Sequence, residues 1–201
     1  MRARTLRAVT IRIVSAGPGR VEALADVFAR SFADDPMIRW PLPAEHIEER
    51  VRASFLAFGG GFAELGMLHE AGDGAGVAAW VPPGETERMV EMELRSRSAI
   101  AAMTADEGAR YFALWDWIED TIPDIPQWYL DLLAVAPERR GKGIGAALIR
   151  WGVDRARTDG VPAMLETARP ENLAMYEHLG FRVVAEGDCP GGGPHLWFMS
   201  T

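Results

Sequence analysis

A single cysteine, Cys189, stands among the 201 residues. No intrachain disulfide can form, a four-cysteine metal site is excluded, and a chain this poor in thiols suits the reducing cytoplasm. Nothing basic adjoins Cys189 to activate it, so it reads as inert. The four histidines, His46, His69, His178 and His195, show neither helical pairing nor a CxxC neighbour, and no metal is expected. There is no apolar run of about 18 residues, so no membrane span is expected. Positive charge is also scarce: 21 Lys and Arg face 29 Asp and Glu, for a net charge of −8. Nucleic acid is therefore an improbable partner, because phosphate contacts need a basic face, whereas a cationic small molecule would be attracted. Met1 to Arg7 carries three arginines with no following apolar stretch of a secretory leader. Residues 1–8 read as a flexible tail ahead of a single domain over 9–201.

What is present is an ordinary globular composition, 48% hydrophobic and 25% charged, in a chain of one-domain length. Val9 to Val14 alternates as a half-buried strand. Val21, Leu24, Ala25, Phe28 and Phe32 recur at helical spacing over 20–33, and Asp34-Asp35-Pro36 ends that run. Pro41 and Pro43 keep the next stretch irregular. A second helix starts near Ala44, carries Ile47, Val51, Phe55 and Phe58 inward, and meets a break at Gly59-Gly60-Gly61. A hairpin turns at Gly72-Asp73-Gly74 between Leu65–Leu68 and Val77–Val81. Helices over 86–100 and 105–120 then form an insertion, with Thr104 as the N-cap of the second. Tyr111, Leu114, Trp115 and Ile118 share one face of that helix. Trp117 points elsewhere, either to surface packing or a dimer contact, or as a lid over a ligand. The last third alternates strand 128–135, helix 144–156, strand 162–167, helix 172–179, strand 181–185 and strand 195–199. This is an α/β (α+β) pattern.

The most informative segment joins the first strand and helix of that last third: Pro137-Glu138-Arg139-Arg140-Gly141-Lys142-Gly143-Ile144-Gly145-Ala146. Glycines let main-chain N–H groups converge on an anion, and the helix that starts there adds unpaired N–H groups and the positive end of its dipole. Arg140 and Lys142 add cationic donors. A Walker loop needs Ser or Thr after its lysine, and Gly143 stands there. A dinucleotide fingerprint fits loosely through Gly141, Gly143 and Ala146, with Glu166 as the ribose-binding acid, but four residues intervene after the strand.

Arg140-x-x-Gly143-x-Gly145 after an apolar strand resembles the pyrophosphate-binding signature of the GCN5-related N-acetyltransferase (GNAT) superfamily. The resemblance continues through Leu165-Glu166-Thr167 and Asn172-Leu173-Ala174-Met175-Tyr176-Glu177-His178-Leu179-Gly180-Phe181. A weaker similarity to the puromycin N-acetyltransferase type runs through Phe32-Ala33-Asp34-Asp35-Pro36, His46-Ile47-Glu48 and 161–167. That type carries an aromatic where Asp35 stands and a small residue where Asp131 stands, so the acceptor differs while the coenzyme half is untouched.

The resemblance implies the GNAT fold: a mixed, strongly twisted sheet of about six or seven strands flanked by helices, splayed between the strands through Leu133 and Leu165. It implies acetyl-CoA as co-substrate, with Leu133, Ala134 and Val135 pairing its arm and residues 140–146 holding its diphosphate. One of those strand N–H groups would stabilise the oxyanion. Tyr176 matches the family's proton donor to the leaving thiolate; otherwise it is a core aromatic. Asn172 bonds the pantetheine or caps the short helix. For the base that frees the amine, Asp131 leads because it precedes Leu133 by two residues on one strand face, with Glu166 and Asp35 as alternatives. The expected reaction is acetylation of a small-molecule primary amine by a monomer or homodimer. Protein acetylation and a non-catalytic acyl-CoA sensor stay open.

Overall fold

A computed structural model describes residues 11–201; the expected tail over 1–8 and the start of the opening strand at Val9 lie outside the described residues. The described part of that strand forms β1, Ile13–Ser15. Seven strands make one sheet in the order β1-β2-β3-β4-β5-β7-β6. They are β2 Leu68–Ala71, β3 Gly76–Val81, β4 Trp128–Val135, β5 Ala163–Thr167, β6 Arg182–Asp188 and β7 His195–Ser200. Every neighbouring pair is antiparallel except β4 and β5, which run parallel.

Helices cover both faces. On one lie α1 (Val21–Phe32) and α3 (Ile47–Glu64), whose Leu24, Phe28, Val51 and Phe55 pack onto Val77, Ala79 and Leu132. On the other lies α6 (Ile144–Asp159), whose Leu148 and Ile149 meet Ala78, Trp80 and Leu165. β3 is buried along its whole length because both faces are covered. Trp80 fits there because Gly152 of α6 leaves the room its ring fills, and its indole N–H donates to the Leu148 carbonyl at 3.1 Å. Full burial of that side chain contributes about 4 kcal/mol before entropy is counted.

Three local expectations are corrected. The glycine run does not break α3, which continues to Glu64. Gly59 leaves room for the Phe55 ring one turn earlier in α3, and Gly61 lets the Met92 side chain of α4 (Thr86–Met103) approach closely, so packing at these positions outweighs a propensity penalty of about 1 kcal/mol per glycine. Thr104 ends α4 instead of capping the next helix, its hydroxyl donating to Ala101 O at 3.0 Å. α5 (Ala109–Thr121) begins later, after Gly108 with φ +88°, and Asp106 accepts from the Arg110 amide and guanidinium. The stretch expected to be irregular holds a short helix, α2 (Pro36–Arg39), started by Asp35, whose Oδ1 accepts from Met37 N at 3.0 Å. Asp-Pro was its signal, an N-cap followed by proline at the first helical position.

Candidate active site

β4 and β5 share only two register pairs, Trp128 with Ala163 and Tyr129 with Met164, before they part. β4 then follows β3, and β5 follows β7. The gap opens into a cavity of about 510 Å³.

Inside β4 the pairing to β3 slips by one residue: Ala79 faces Leu132 and Trp80 faces Leu130, leaving Asp131 as the extra residue of a bulge. The simple two-residue alternation that put Asp131 and Leu133 on one face therefore fails, yet the Asp131 side chain does line the cavity. The bulge also rephases the main chain. Trp128 N–H donates across to Pro162 O beside β5, whereas Ala136 N–H donates to Ala75 O on the β3 side. In an antiparallel ladder alternate residues bond a given neighbour. Ala134, like Ala136, therefore bonds to β3, a correction to its expected pairing with the coenzyme arm. Leu133 and Val135 turn their main-chain groups to the gap. Val135 O is already taken by the Ser31 hydroxyl at 2.9 Å, which leaves the Leu133 groups and the Val135 N–H facing the opening.

At one end of the gap sits the glycine turn. Gly141 has φ +73° and Gly143 has φ +79°, conformations that any side chain would strain, and Gly143 precedes the first residue of α6. Among the described residues no carbonyl or side chain accepts from the N–H groups of 141–146. Arg140, Gly141, Gly143, Ile144, Gly145 and Ala146 line the cavity. Lys142 does not: it is exposed, with Nζ 3.4 Å from Glu138 O. The Arg140 guanidinium folds back toward Val135 O and Ser31 O, each at 3.4 Å.

At the other end three carboxylates border the cavity. Asp131 is pushed up to about 7 by its removal from bulk water. Glu166 on β5 rises to about 8, also through burial, with the neighbouring Asp131 adding to it and Tyr129 opposing. The Tyr129 hydroxyl donates to Glu166 Oε2 at 2.5 Å. Burial raises Asp35 too, against the opposing hydrogen bonds from Met37 N–H and Arg169. Both Asp35 oxygens are engaged, since Oδ2 accepts from Arg169 Nε at 2.9 Å. Tyr176 of α7 (Leu173–His178) is 6% exposed and lines the cavity, its hydroxyl held protonated by burial and by the negative field of Glu166 and Asp35. Asn172 also faces the cavity and makes no side-chain cap to α7.

Phe28, Phe32, Phe58, Tyr111 and Trp115 supply an aromatic wall. Sequence reading missed this wall, and with it Tyr129 and Arg169. The four-residue spacing of Tyr111 and Trp115 on α5 (Ala109–Thr121) was the available signal. Trp117, three residues from Leu114, turns instead onto β7, its ring meeting Phe198 edge-on at 5.5 Å, and does not line the cavity.

Solved structures with this fold include one described as histone acetyltransferase HPA2 and related acetyltransferase from Corynebacterium glutamicum, 24% identical, covering 96% of each chain with a TM-score of 0.69. A polyamine N-acetyltransferase of Drosophila melanogaster is 13% identical over 96% of this chain and 99% of its own, with a TM-score of 0.66. Arylalkylamine N-acetyltransferase 2 of Aedes aegypti is 18% identical over 95% and 98%, with a TM-score of 0.64. These likenesses define the fold as that of acetyltransferases. Residues 90–181 match the model of the Acetyltransferase (GNAT) family. A segment of 125 residues is 30% identical to an uncharacterized N-acetyltransferase of Schizosaccharomyces pombe, covering 58% of this chain and 51% of that relative, so the chain spans about half the relative's length. The match over 90–181 takes in a little under half of the 201 residues, and it is this segment that is similar to the Acetyltransferase (GNAT) family.

Proposed function

We propose that the protein transfers the acetyl group of acetyl-CoA to the primary amine of a small molecule by direct attack. The observation that carries this reading is one cavity with an anion-seeking turn at one end and two weakly acidic carboxylates beside a protonated tyrosine at the other. The unpaired N–H groups of 141–146 suit a diphosphate, and the outward-facing main chain of Leu133 suits an amide-bearing arm. Acetyl-CoA, when bound there, supplies an activated acetyl thioester.

The chain's own groups then divide the work. An alkyl ammonium has a pKa of about 10 and must lose a proton before it can attack. Asp131, poised near neutrality and free of any hydrogen-bond partner among the described residues, takes that proton. The Leu133 N–H donates to the oxygen on which negative charge develops. Tyr176, with its proton retained, delivers it to the departing sulfur. The aromatic wall excludes water and accepts the apolar body of the amine. Neighbours whose names state polyamine, agmatine and arylalkylamine acetylation support an amine acceptor.

Thermal-shift measurements with CoA, acetyl-CoA and NAD test the coenzyme half, because a ligand bound only by the folded state raises its stability. CoA and acetyl-CoA should raise the melting temperature and NAD should not. Mass spectrometry of a panel of amines incubated with protein and acetyl-CoA should show one acetyl group gained. CoA binding without acetylation of any amine would leave only an acyl-CoA sensor.

A further inference from the structure

Asp35 and Arg169 stand 134 residues apart in sequence and on opposite lips of the gap. Asp35 lies between α1 and α2, on the half of the molecule that packs over β1 to β4; Arg169 follows β5, on the half carried by β7 and β6. Because β4 and β5 share only two register pairs, the sheet itself does little to fix the distance between these halves beyond Tyr129. The ion pair crosses that distance. Its side chains are 11% and 26% exposed, so it is sheltered from solvent screening.

Each partner is held at a second point. Arg169 Nη1 also binds Glu171 Oε1 at 3.1 Å, which fixes the guanidinium on its own loop. The second oxygen of Asp35 caps α2 at Met37 N. A four-residue helix cannot sustain itself, since nucleation is unfavourable and a single turn recovers few hydrogen bonds. Its amides at Ile38, Arg39 and Trp40 bond back to Asp35 and Pro36, so the turn is anchored at the residue that Arg169 holds. From this turn Met37 and Ile38 face the cavity.

We propose that the Asp35–Arg169 pair is a latch across the mouth of the cleft which, by holding α2, sets the wall against which the acceptor amine is positioned. The pair acts through α2 as positioning residues and takes no part in proton transfer. The inference rests on the transferase reading for its effect on the acceptor, and on the geometry alone for its effect on α2.

Hydrogen–deuterium exchange of the full chain with CoA bound reads the second effect without activity. Arg169→Gln should speed exchange of the 38–40 amides by about tenfold while amides in β3 stay unchanged, as for a local opening. Asp35→Asn, which retains a capping side chain, should show the same increase to a smaller degree. Steady-state kinetics with an amine found to be acetylated should give an acceptor KM raised by about tenfold, kcat within about threefold and acetyl-CoA KM unaltered. The effect of Arg169→Gln should largely vanish in the Asp35→Asn background, because coupled partners are non-additive. Unchanged exchange at 38–40 overturns the latch. So do additive KM effects, which place Arg169 in direct contact with the acceptor. Faster exchange in a protein that acetylates no amine leaves the latch standing and removes the transferase reading instead.

Discussion

Replacing Asp131 by Asn should move stability and turnover in opposite directions. The carboxyl sits at about 7 in the folded chain, against an ordinary 3.8, because it is withdrawn from bulk water in the bulge of β4. Between those two values the folded state keeps a proton that the unfolded chain has already released. Stability therefore falls as pH rises through that window, and above about 7 the full difference corresponds to about 4 kcal/mol. Asp131 borders a cavity that admits water, so about half of this, roughly 2 kcal/mol, is the expected penalty. Asparagine carries no charge at any pH. The variant should thus match wild type near pH 4 and exceed it by about 2 kcal/mol at pH 8.5, or roughly 4–8 °C in Tm for a chain of this size. If Asp131 is the base, kcat/KM should fall by about 10²–10⁴, and the wild-type rise in rate centred near pH 7 should disappear. Calorimetry from pH 4 to 8.5 and initial rates of thiol release over the same range check both. A variant no more stable than wild type at pH 8.5 refutes the argument from desolvation. A pH limb that survives the substitution refutes the assignment of the base and transfers it to Glu166.

Tyr176→Phe should lower kcat by about 10²-fold with CoA affinity by calorimetry unchanged, since only a proton donor is removed; undiminished turnover makes the tyrosine a core residue. Gly143→Ala forces a methyl-bearing residue to φ +79° at a strain of about 1–2 kcal/mol, and CoA titration should show about tenfold weaker binding. Gly152→Ala drives a methyl into the Trp80 ring and should destabilise the fold by about 1–3 kcal/mol in urea unfolding, with the loss partly relieved by Trp80→Phe.

Where the sequence was legible, one dominant local force acted. The helix over Ile144–Asp159 and its glycine turn, the hairpin at Gly72 to Gly74, and the strands of the last third follow from periodicity and turn chemistry that tertiary packing had no reason to override. Illegible features depended on distant partners. Gly61 read as part of a break because nothing in the sequence places Met92 against it, whereas the contact of Gly59 with Phe55, one turn earlier in the same helix, is local. Trp117 read as a possible lid because its facing is set by Phe198, 81 positions onward, and the Asp35–Arg169 and Tyr129–Glu166 pairs join elements whose adjacency only the sheet order reveals. Asp131 was the mixed case: its place at the cavity was expected, but for a reason that the bulge invalidates.

That bulge also explains why one strand can both build the sheet and serve the cleft. Trp128 turns its N–H toward β5 and Ala136 toward β3, although the two are an even number of residues apart. A regular strand would point both the same way. It would then direct Leu133 and Val135 at β3 and leave Ala134 facing a gap with no ladder partner. Inserting Asp131 as an unpaired residue reverses the phase midway, so the first half of β4 bonds β5 and closes the base of the cleft. The second half presents Leu133 to the opening. The extra residue contributes the carboxylate at the point where the phase changes, and the main-chain donor stands two residues beyond it. On the proposed chemistry, base and oxyanion donor are therefore a single structural irregularity. Removing the bulge would disable both together, whereas Asp131→Asn removes only the first.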